Sequence, residues 1–314
     1  MKTTRILLAV AVLQAAGTAL AAPARAQDVE DRGDRSEARA TSKLDTTVTI
    51  DRNGTVDLQL VSGEIIVSAG TGNQVRIHAY SERGVLQFSA SPSRVSLDVH
   101  SSRGRMGDTR YEVTVPVGVR LELKSVSGDI TSHGVKGELE VGAVSGDIDV
   151  SDGTGSVEIE NVSGDIAAER LSGQTRIDAV SGDVALSNIA GSLEIETVSG
   201  EITIERGDLK SLRSETVSGE LSYDGSIDPA GRYEFHSQSG EIRLRIPSSA
   251  AGSVRVETFS GSVDSEFAMT MQPGEHGMRE HPKRLEFTFG KGGGARITAE
   301  TFSGDITIEK TGAP

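Results

Sequence analysis

The fold is decided by residues 126–204, which read VSGDITSHGVKGELEVGAVSGDIDVSDGTGSVEIENVSGDIAAERLSGQTRIDAVSGDVALSNIAGSLEIETVSGEITI. A glycine stands at every ninth position, and apolar residues follow two and four places after most of these glycines. The glycines are Gly128, Gly137, Gly146, Gly155, Gly164, Gly173, Gly182, Gly191 and Gly200. A strict period of this length indicates a repeat protein built from one short supersecondary unit.

The spacing within each unit predicts a strand followed by a corner. Two apolar residues separated by one place, such as Ile148 and Val150, point to the same face of a strand. Glycine at the corner adopts backbone angles that are closed to residues with a Cβ. A single unit of nine residues cannot bury its apolar side alone, so successive units must stack on one another.

A second period lies on top of the first. Alternate units begin with Val-Ser-Gly and an acid, as at Val126 and Val144, whereas the units between them are looser, as at Ile189-Ala190-Gly191-Ser192. We therefore predict an all-β fold, a single-stranded and β-helix-like β-solenoid of about 18 residues per coil, with two nine-residue units per coil.

The first residues are typical of a secretory signal. Lys2 and Arg5 precede a short apolar run, and Ala24-Arg25-Ala26 supplies a small-x-small cleavage site. We therefore expect an exported protein, periplasmic or secreted, with no membrane span in the mature chain. The predicted organisation is a signal peptide (1–26), a disordered charged leader (27–43) and a β-solenoid domain (44–310). Within the β-solenoid domain we expect irregular coils (44–125), regular coils (126–205) and looser coils (206–310), the last with an insertion near 264–292.

The run Val115-Pro116-Val117-Gly118, followed by Val126-Ser127-Gly128-Asp129-Ile130, carries a family resemblance. It resembles a bacterial family of putative adhesins whose β-strand-repeat domain of unknown function contains iterated Val-Ser-Gly-Asp-Ile units. The resemblance covers roughly residues 45–310, and it is specific because many copies match in register. It implies an extracytoplasmic β-solenoid linked to adhesion or envelope stress, and it supplies no catalytic residues to carry over.

The bulk composition excludes several classes of function. The formal net charge is −14, and removal of Lys2, Arg5 and Arg25 with the signal lowers it to −17. A surface this acidic repels nucleic acid, whose binding needs clustered Lys and Arg.

The chain has no cysteine, which excludes disulfides, thiolate metal sites and a cysteine nucleophile. Tryptophan is absent and aromatic residues make up 4%, which favours a thin core of Val, Ile and Leu.

Stacked coils would bring the acid that follows each Ser-Gly into one column, which we call the acidic ladder. Carboxylates from neighbouring coils could bind Ca²⁺ weakly through hard oxygen ligands, or they could be polar turn residues that keep the surface soluble. The serines before the glycines lack a recurring histidine, and a serine without a base is inert. The acidic ladder consists of Asp129, Asp147, Asp165, Asp183, Glu201 and Glu220.

These observations predict a protein that is not an enzyme and has no resident cofactor. We expect an adhesin-like or scaffold module of the bacterial envelope, whose partner is a protein or glycan that the sequence does not identify, and whose oligomeric state is equally open. The alternative is a carbohydrate-active β-helix enzyme of the polysaccharide lyase or hydrolase type, with its site in the 264–292 insertion or the 100–111 loop. His276 and His281 lie in that insertion, where a loop without metal is the simpler interpretation.

Overall fold

The computed structural model describes residues 42–101, 107–267, 283–290 and 293–312. The chain divides into two compact units, Met1–Ala38 and Arg39–Pro314, and every described residue belongs to the second. The predicted signal peptide and residues 27–41 of the predicted leader lie outside the described residues. The first strand begins at Ser42, so the last two residues of the predicted leader are in a strand, where Ser42 pairs with Ser81 and Lys43 with Tyr80.

The described part of the chain is all-β, as the sequence predicts, and contains no helix. No helix among these residues could span a membrane. The strands are β1 (Ser42–Thr49), β2 (Thr55–Gly70), β3 (Gln74–Ser81), β4 (Gly84–Ala90), β5 (Arg94–Ser101), β6 (Thr109–Pro116), β7 (Arg120–His133), β8 (Leu139–Ser145), β9 (Ile148–Ser151), β10 (Thr154–Ser163), β11 (Ile166–Glu169), β12 (Ser172–Ser181), β13 (Val184–Ser187), β14 (Ala190–Ser199), β15 (Ile202–Ser218), β16 (Leu221–Gly225), β17 (Arg232–Ser239), β18 (Ile242–Pro247), β19 (Gly252–Ser260), β20 (Val263–Ser265), β21 (Lys283–Phe289), β22 (Ala295–Ser303) and β23 (Ile306–Thr311).

From β8 to β14 the strands pair in parallel with partners eighteen residues away, and the pairing of β14 with β15 shifts to nineteen after Gly191. Ile159 of β10 lies opposite Ile177 of β12, and Ile177 lies opposite Ile195 of β14. The shorter strands β9, β11 and β13 form a second parallel ladder, in which Ile166 lies opposite Val184. Each turn of the chain therefore contributes one strand to each of two ladders.

The glycine period follows from contact between coils at the corners. Gly182 has a φ of 127°, and a Cβ at this position would lie 2.1 Å from the carbonyl oxygen of Gly164 in the preceding coil. At the opposite corner, Gly173 has a φ of 119°, and its Cβ would lie 2.2 Å from the carbonyl oxygen of Gly155. Both corners thus combine a left-handed backbone with a backbone contact that leaves no room for a side chain.

The core consists of the inward side chains of both ladders, and these are mainly Val, Ile and Leu. In β10, for example, Val157 and Ile159 are buried while Glu158 and Glu160 are exposed. The longer coils at residues 202–247 fill the extra space with Tyr223, Tyr233 and Phe235. The sparse aromatic content is therefore concentrated where the coil departs from its regular length.

The coils do not stack in chain order at either end. β2 pairs in parallel with β7, with Ser62 opposite Ser127, although β3 to β6 lie between them in sequence. Near the C-terminus, β22 lies between β17 and β19, with Ser303 opposite Ser239 on one side and Ser260 on the other. The last coil of the sequence is therefore inserted between two earlier coils.

Antiparallel strands adjoin both groups of out-of-order coils. β3 pairs antiparallel with β1 and β6, and β4 with β5, so the segment predicted as irregular coils (44–125) contains both parallel and antiparallel strands. In the predicted insertion near 264–292, residues 283–289 form β21, which pairs antiparallel with β19. Residues 268–282, including His276 and His281, lie outside the described residues.

Candidate functional site

The acidic ladder is a chain of hydrogen bonds between coils. The Oδ1 atom of Asp147 accepts a bond from the backbone N of Asp165 at 2.9 Å, and Asp165 Oδ1 accepts from Asp183 N at 2.9 Å. The same bond joins Asp129 to Asp147 N (3.0 Å) and Asp183 to Glu201 N (2.8 Å). Each aspartate thus caps a backbone N–H at the glycine corner of the next coil.

The two glutamates of the ladder behave differently from the four aspartates. Glu201 accepts a bond from the hydroxyl of Thr203 at 2.8 Å, and Glu220 forms an ion pair with Arg243 at 2.7 Å. Their side chains are one methylene longer, and these two bonds go to side chains instead of the backbone. The structure thus places all six predicted residues in one column, but with two kinds of bonding, and it favours the interpretation of the aspartates as turn residues.

The serines of the repeat also form one column, and no described histidine accompanies them as a base. Ser199 Oγ donates to the carbonyl oxygen of Val180 at 3.3 Å, which is a bond to the neighbouring coil. The serines in register are Ser62, Ser127, Ser145, Ser163, Ser181, Ser199, Ser218, Ser239, Ser303 and Ser260.

A charged surface that our sequence reasoning missed lies on the outward side of β8, β10, β12 and β14. Pairing of these strands sets their outward residues in two columns along the stack. We call this surface the acidic face; it carries six acids and one base, namely Glu140, Glu158, Glu160, Asp178, Glu194, Glu196 and Arg176. The signal was present in the sequence, because a pair of charged residues on either side of one buried residue recurs at eighteen-residue spacing, at 158 and 160, 176 and 178, and 194 and 196.

Like charges crowd the centre of the acidic face. Partial burial, together with the charges of Asp178, Glu158 and Glu140, raises the pKa of Glu160 above its ordinary value of 4.5. Burial and Asp178 also raise the pKa of Glu196. The carboxylate oxygens of Glu158, Glu160 and Asp178 lie within 4.8 Å of one another, a spacing that could hold a hard divalent cation.

The positive charge on this face is shared among several acids. Arg176 lies 2.9 Å from Asp178, 3.0 Å from Glu194 and 3.5 Å from Glu196. Although burial lowers the pKa of Arg176, these contacts raise it overall, so the guanidinium stays charged. Neither Glu158 nor Glu160 forms an ion pair with a described Lys or Arg, although the charge of Lys124 lowers the pKa of Glu160 in part and Arg176 lies opposite Glu158 in register.

An apolar column runs beside the acidic face on the same side of the sheet. The valine of each Val-Ser-Gly unit points outward; Val126, for example, is 43% exposed and Val162 is 37% exposed. By contrast, the equivalent residues of the alternate units, Leu171 and Ile189, are buried. We call this the valine column; it consists of Val126, Val144, Val162, Val180 and Val198.

The second ladder presents a different surface. Its outward positions in β9, β11 and β13 carry small or singly charged side chains, Asp149, Ala167 and Ala185. At the far corner, Arg170 has a φ of 54° and its guanidinium binds both carboxylate oxygens of Asp152 at 2.6 and 3.0 Å. That contact lowers the pKa of Asp152. The two sides of the coil are therefore chemically distinct.

The arrangement of two parallel ladders around one apolar core defines an all-β repeat protein of the solenoid kind. The Toastrack DUF4097 family matches residues 38–206 and 173–309, and the chain belongs to this family. No curated protein matches the chain significantly. The family assignment agrees with the resemblance that the sequence carries.

Several solved structures are similar over most of the chain at low identity. A putative adhesin from Bacteroides fragilis NCTC 9343 is 11% identical, with 85% of this chain and 97% of that chain covered and a TM-score of 0.36. A putative adhesin from Parabacteroides merdae ATCC 43184 is 9% identical, with 86% and 96% covered and a TM-score of 0.34. A putative lipid binding protein from Parabacteroides distasonis ATCC 8503 is 11% identical, with 85% and 97% covered and a TM-score of 0.26.

Proposed function

We propose that the chain is an exported, non-enzymatic binding module, of adhesin-like or scaffold type, for a protein or glycan of the cell envelope. The observation that carries the proposal is the continuous outward side of β8, β10, β12 and β14, where each eighteen-residue coil adds one more row of charged and apolar side chains. A surface of this kind offers many equivalent contacts along a line, which suits binding of an elongated partner.

The chemistry of the repeated residues supports the absence of catalysis. The serine column has no accompanying base among the described residues, and the ladder aspartates bond to backbone N–H groups. A catalytic pair needs one group placed to take a proton and another placed to attack or donate. Repetition of the same bond in each coil matches a structural role for these side chains.

One depression near the N-terminal strands keeps the carbohydrate-active alternative testable. It has a volume of about 280 Å³, and its lining includes two carboxylates, Asp57 and Asp98, together with Phe88. Paired carboxylates beside an aromatic ring are the elements of a glycosidase site. Asp57, however, is 7% exposed and bonds to Arg94 at 2.7 Å, which ties it into the packing of β2 against β5.

The test of catalysis is incubation of the full chain with a panel of polysaccharides, followed by assays for reducing sugars and for unsaturated products. The proposal predicts no product with any member of the panel. Product formation by the wild-type protein that is lost in Asp98→Asn would overturn the proposal and establish the carbohydrate-active alternative, with Asp149→Asn on β9 as the matched control.

Export and the absence of a resident cation are tested separately. Mass spectrometry of the protein recovered from the periplasm or medium should show a chain that begins at Gln27. Recovery of the chain with its first 26 residues in the cytoplasm would contradict export.

Calcium should leave the melting temperature of wild type and Asp165→Asn equally unchanged, because the ladder oxygens already accept hydrogen bonds from backbone N–H groups. A calcium-dependent rise that Asp165→Asn abolishes would establish the acidic ladder as a cation site.

A further inference from the structure

The valine column is the starting point, because its position is unusual for branched apolar residues. Val126 and Val162 are 43% and 37% exposed. Farther along the same register, beyond Val217 and the polar Gln238, lie Phe302 and Phe259, whose rings stack at 4.9 Å and are 58% and 44% exposed. The equivalent positions of the alternate units, Leu171 and Ile189, are buried in the core. Large apolar side chains are thus aligned on one side of the coil, as expected of an interaction surface.

The acidic face beside this column determines the charge of the occupant. Along the rows from Val126 to Val217, eight acids stand against three bases, because β7 and β15 add Glu122, Lys124, Arg213 and Glu215 to the acidic face. Glu158 and Glu160 form no ion pair with a described Lys or Arg. A second copy of the same face would bring like charges together, and anionic lipids or nucleic acids would meet the same repulsion. Positive charge on the partner would relieve the crowding of carboxylates at Glu160 and Asp178 and would steer the approach.

The spacing of the columns determines the shape of the occupant. Coils in a parallel sheet repeat at about 4.8 Å, and the valine column lies two residues, or about 6.6 Å, from the nearest acidic column. An α-helix lying along the stack is about 10 Å wide and repeats at about 5.4 Å per turn, so its turns drift from the coils by only about 0.6 Å per coil. An extended strand repeats its facing side chains at about 6.6 Å and falls out of step within two coils.

We propose that the valine column and the acidic face together form a docking surface for a cationic amphipathic helix of a partner protein. The proposal rests on the proposed function and names the chemistry of its partner. Five coil spacings, from the row of Val126 to that of Val217, span about 24 Å, which corresponds to about 16 helical residues. The apolar stripe of the helix covers the valines, and its Lys or Arg side chains bind Glu158, Glu160 and Asp178.

The test uses the full chain and a labelled synthetic 18-residue peptide with Leu along one helical stripe and Lys along the other. Binding is followed by fluorescence anisotropy at low and moderate salt. The double variant Glu158→Gln and Glu160→Gln should weaken binding about tenfold at low salt and reduce its salt dependence. Val144→Ser with Val162→Ser should weaken it about fivefold, because exposed apolar contacts are lost.

Matched controls separate this surface from general charge and from loss of folding. Asp149→Asn with Asp264→Asn removes the same two charges from the second ladder and should change binding less than twofold. All variants should keep the cooperative melting of wild type, since the substituted side chains point outward. A peptide with Glu in place of Lys, or one with its Leu residues scrambled around the helix, should not bind.

Any of three results would overturn the docking surface. These are equal binding of the scrambled peptide, failure of the Lys peptide to bind, and unchanged affinity in the Glu158→Gln and Glu160→Gln variant. These results leave the proposed function standing if a polysaccharide or another protein still binds without being altered. Cleavage of the peptide, detected by mass spectrometry after incubation, would instead overturn the proposed function itself. The two failures therefore give different readouts.

Discussion

Substitution of a single corner glycine tests how closely the coils are packed. In Gly182→Ala, the new Cβ would lie 2.1 Å from the backbone carbonyl oxygen of Gly164, and the φ of 127° is one that alanine rarely adopts. Backbone strain of this kind costs about 1–3 kcal/mol, and forced overlap in a packed interior costs a further 1–3 kcal/mol, roughly. We therefore expect Gly182→Ala to lose about 2–6 kcal/mol of the free energy of unfolding.

The chain offers a matched control for this substitution. Gly142 lies on the outward side of β8, its φ is not in the left-handed region, and a Cβ there would meet no atom within 4 Å. Gly142→Ala should therefore stabilise the protein by about 0.4–1 kcal/mol, because it restricts the unfolded chain without strain in the folded state.

The assay is urea unfolding followed by far-UV circular dichroism, with the midpoint compared among wild type, Gly182→Ala and Gly142→Ala. Because repeat proteins can unfold in more than one step, the midpoint of the first transition is the quantity to compare. A Gly182→Ala protein as stable as wild type would refute the close contact between coils. Equal damage from both substitutions would refute the distinction between corner and strand glycines.

Three further outcomes follow from individual contacts. Asp165→Ala should lower the free energy of unfolding by about 0.5–1.5 kcal/mol because the backbone N of Asp183 loses its acceptor, whereas Asp165→Asn retains an acceptor and should remain close to wild type in the same urea assay; equal effects would contradict the hydrogen-bond ladder. Glu160→Gln should raise the melting temperature at pH 7, and the gain should shrink as the pH falls toward 4.5. The raised pKa of Glu160 in the folded state means that wild type loses stability as the pH rises from 4.5 through that pKa, a loss that glutamine avoids. A gain independent of pH would contradict the crowding of charge. Tyr233→Phe should cost about 1–3 kcal/mol, since its hydroxyl donates to Leu209 O at 2.5 Å and accepts from Asp228 N at 2.8 Å; an unchanged urea midpoint would contradict this buried bonding.

The regular part of the fold could be predicted from sequence because glycine period and apolar alternation report the same geometry. Each corner needs glycine at a carbonyl contact, and each strand needs two inward apolar residues, so Gly182 and the pair Val184 and Leu186 determine one another's positions. The same pattern could not reveal the order of stacking at the ends. The Ser-Gly corner at Ser303 fits equally well beside Ser239 or beside Ser260, and the structure places it between them.

The candidate site was only partly predictable for a related reason. The acid after each glycine is conspicuous in sequence, but its role depends on whether a backbone N–H in the next coil lacks a partner, as at Asp165 and Asp183. The charged residues between the buried ones look like ordinary solvent-facing positions in a single strand. Stacking converts them into columns, and only then do Glu158, Glu160 and Asp178 lie close enough to form a concentration of negative charge.

Near the C-terminus the coils stack out of chain order, and the cysteine-free chain allows that order to be measured directly. In the structure, Glu234 of β17 lies opposite Thr298 of β22, and Thr298 lies opposite Arg255 of β19. Neighbouring strands are about 4.8 Å apart and alternate strands about 9.6 Å, whereas a disulfide needs Cα atoms within about 7 Å.

The measurement is disulfide formation under mild oxidation in three double variants of the full chain, read by mass spectrometry of tryptic peptides. The pairs Glu234→Cys with Thr298→Cys, and Thr298→Cys with Arg255→Cys, should crosslink, and the pair Glu234→Cys with Arg255→Cys should not. Rapid crosslinking of positions 234 and 255, with none between 234 and 298, would show that these coils stack in chain order and would contradict the insertion of β22 between β17 and β19.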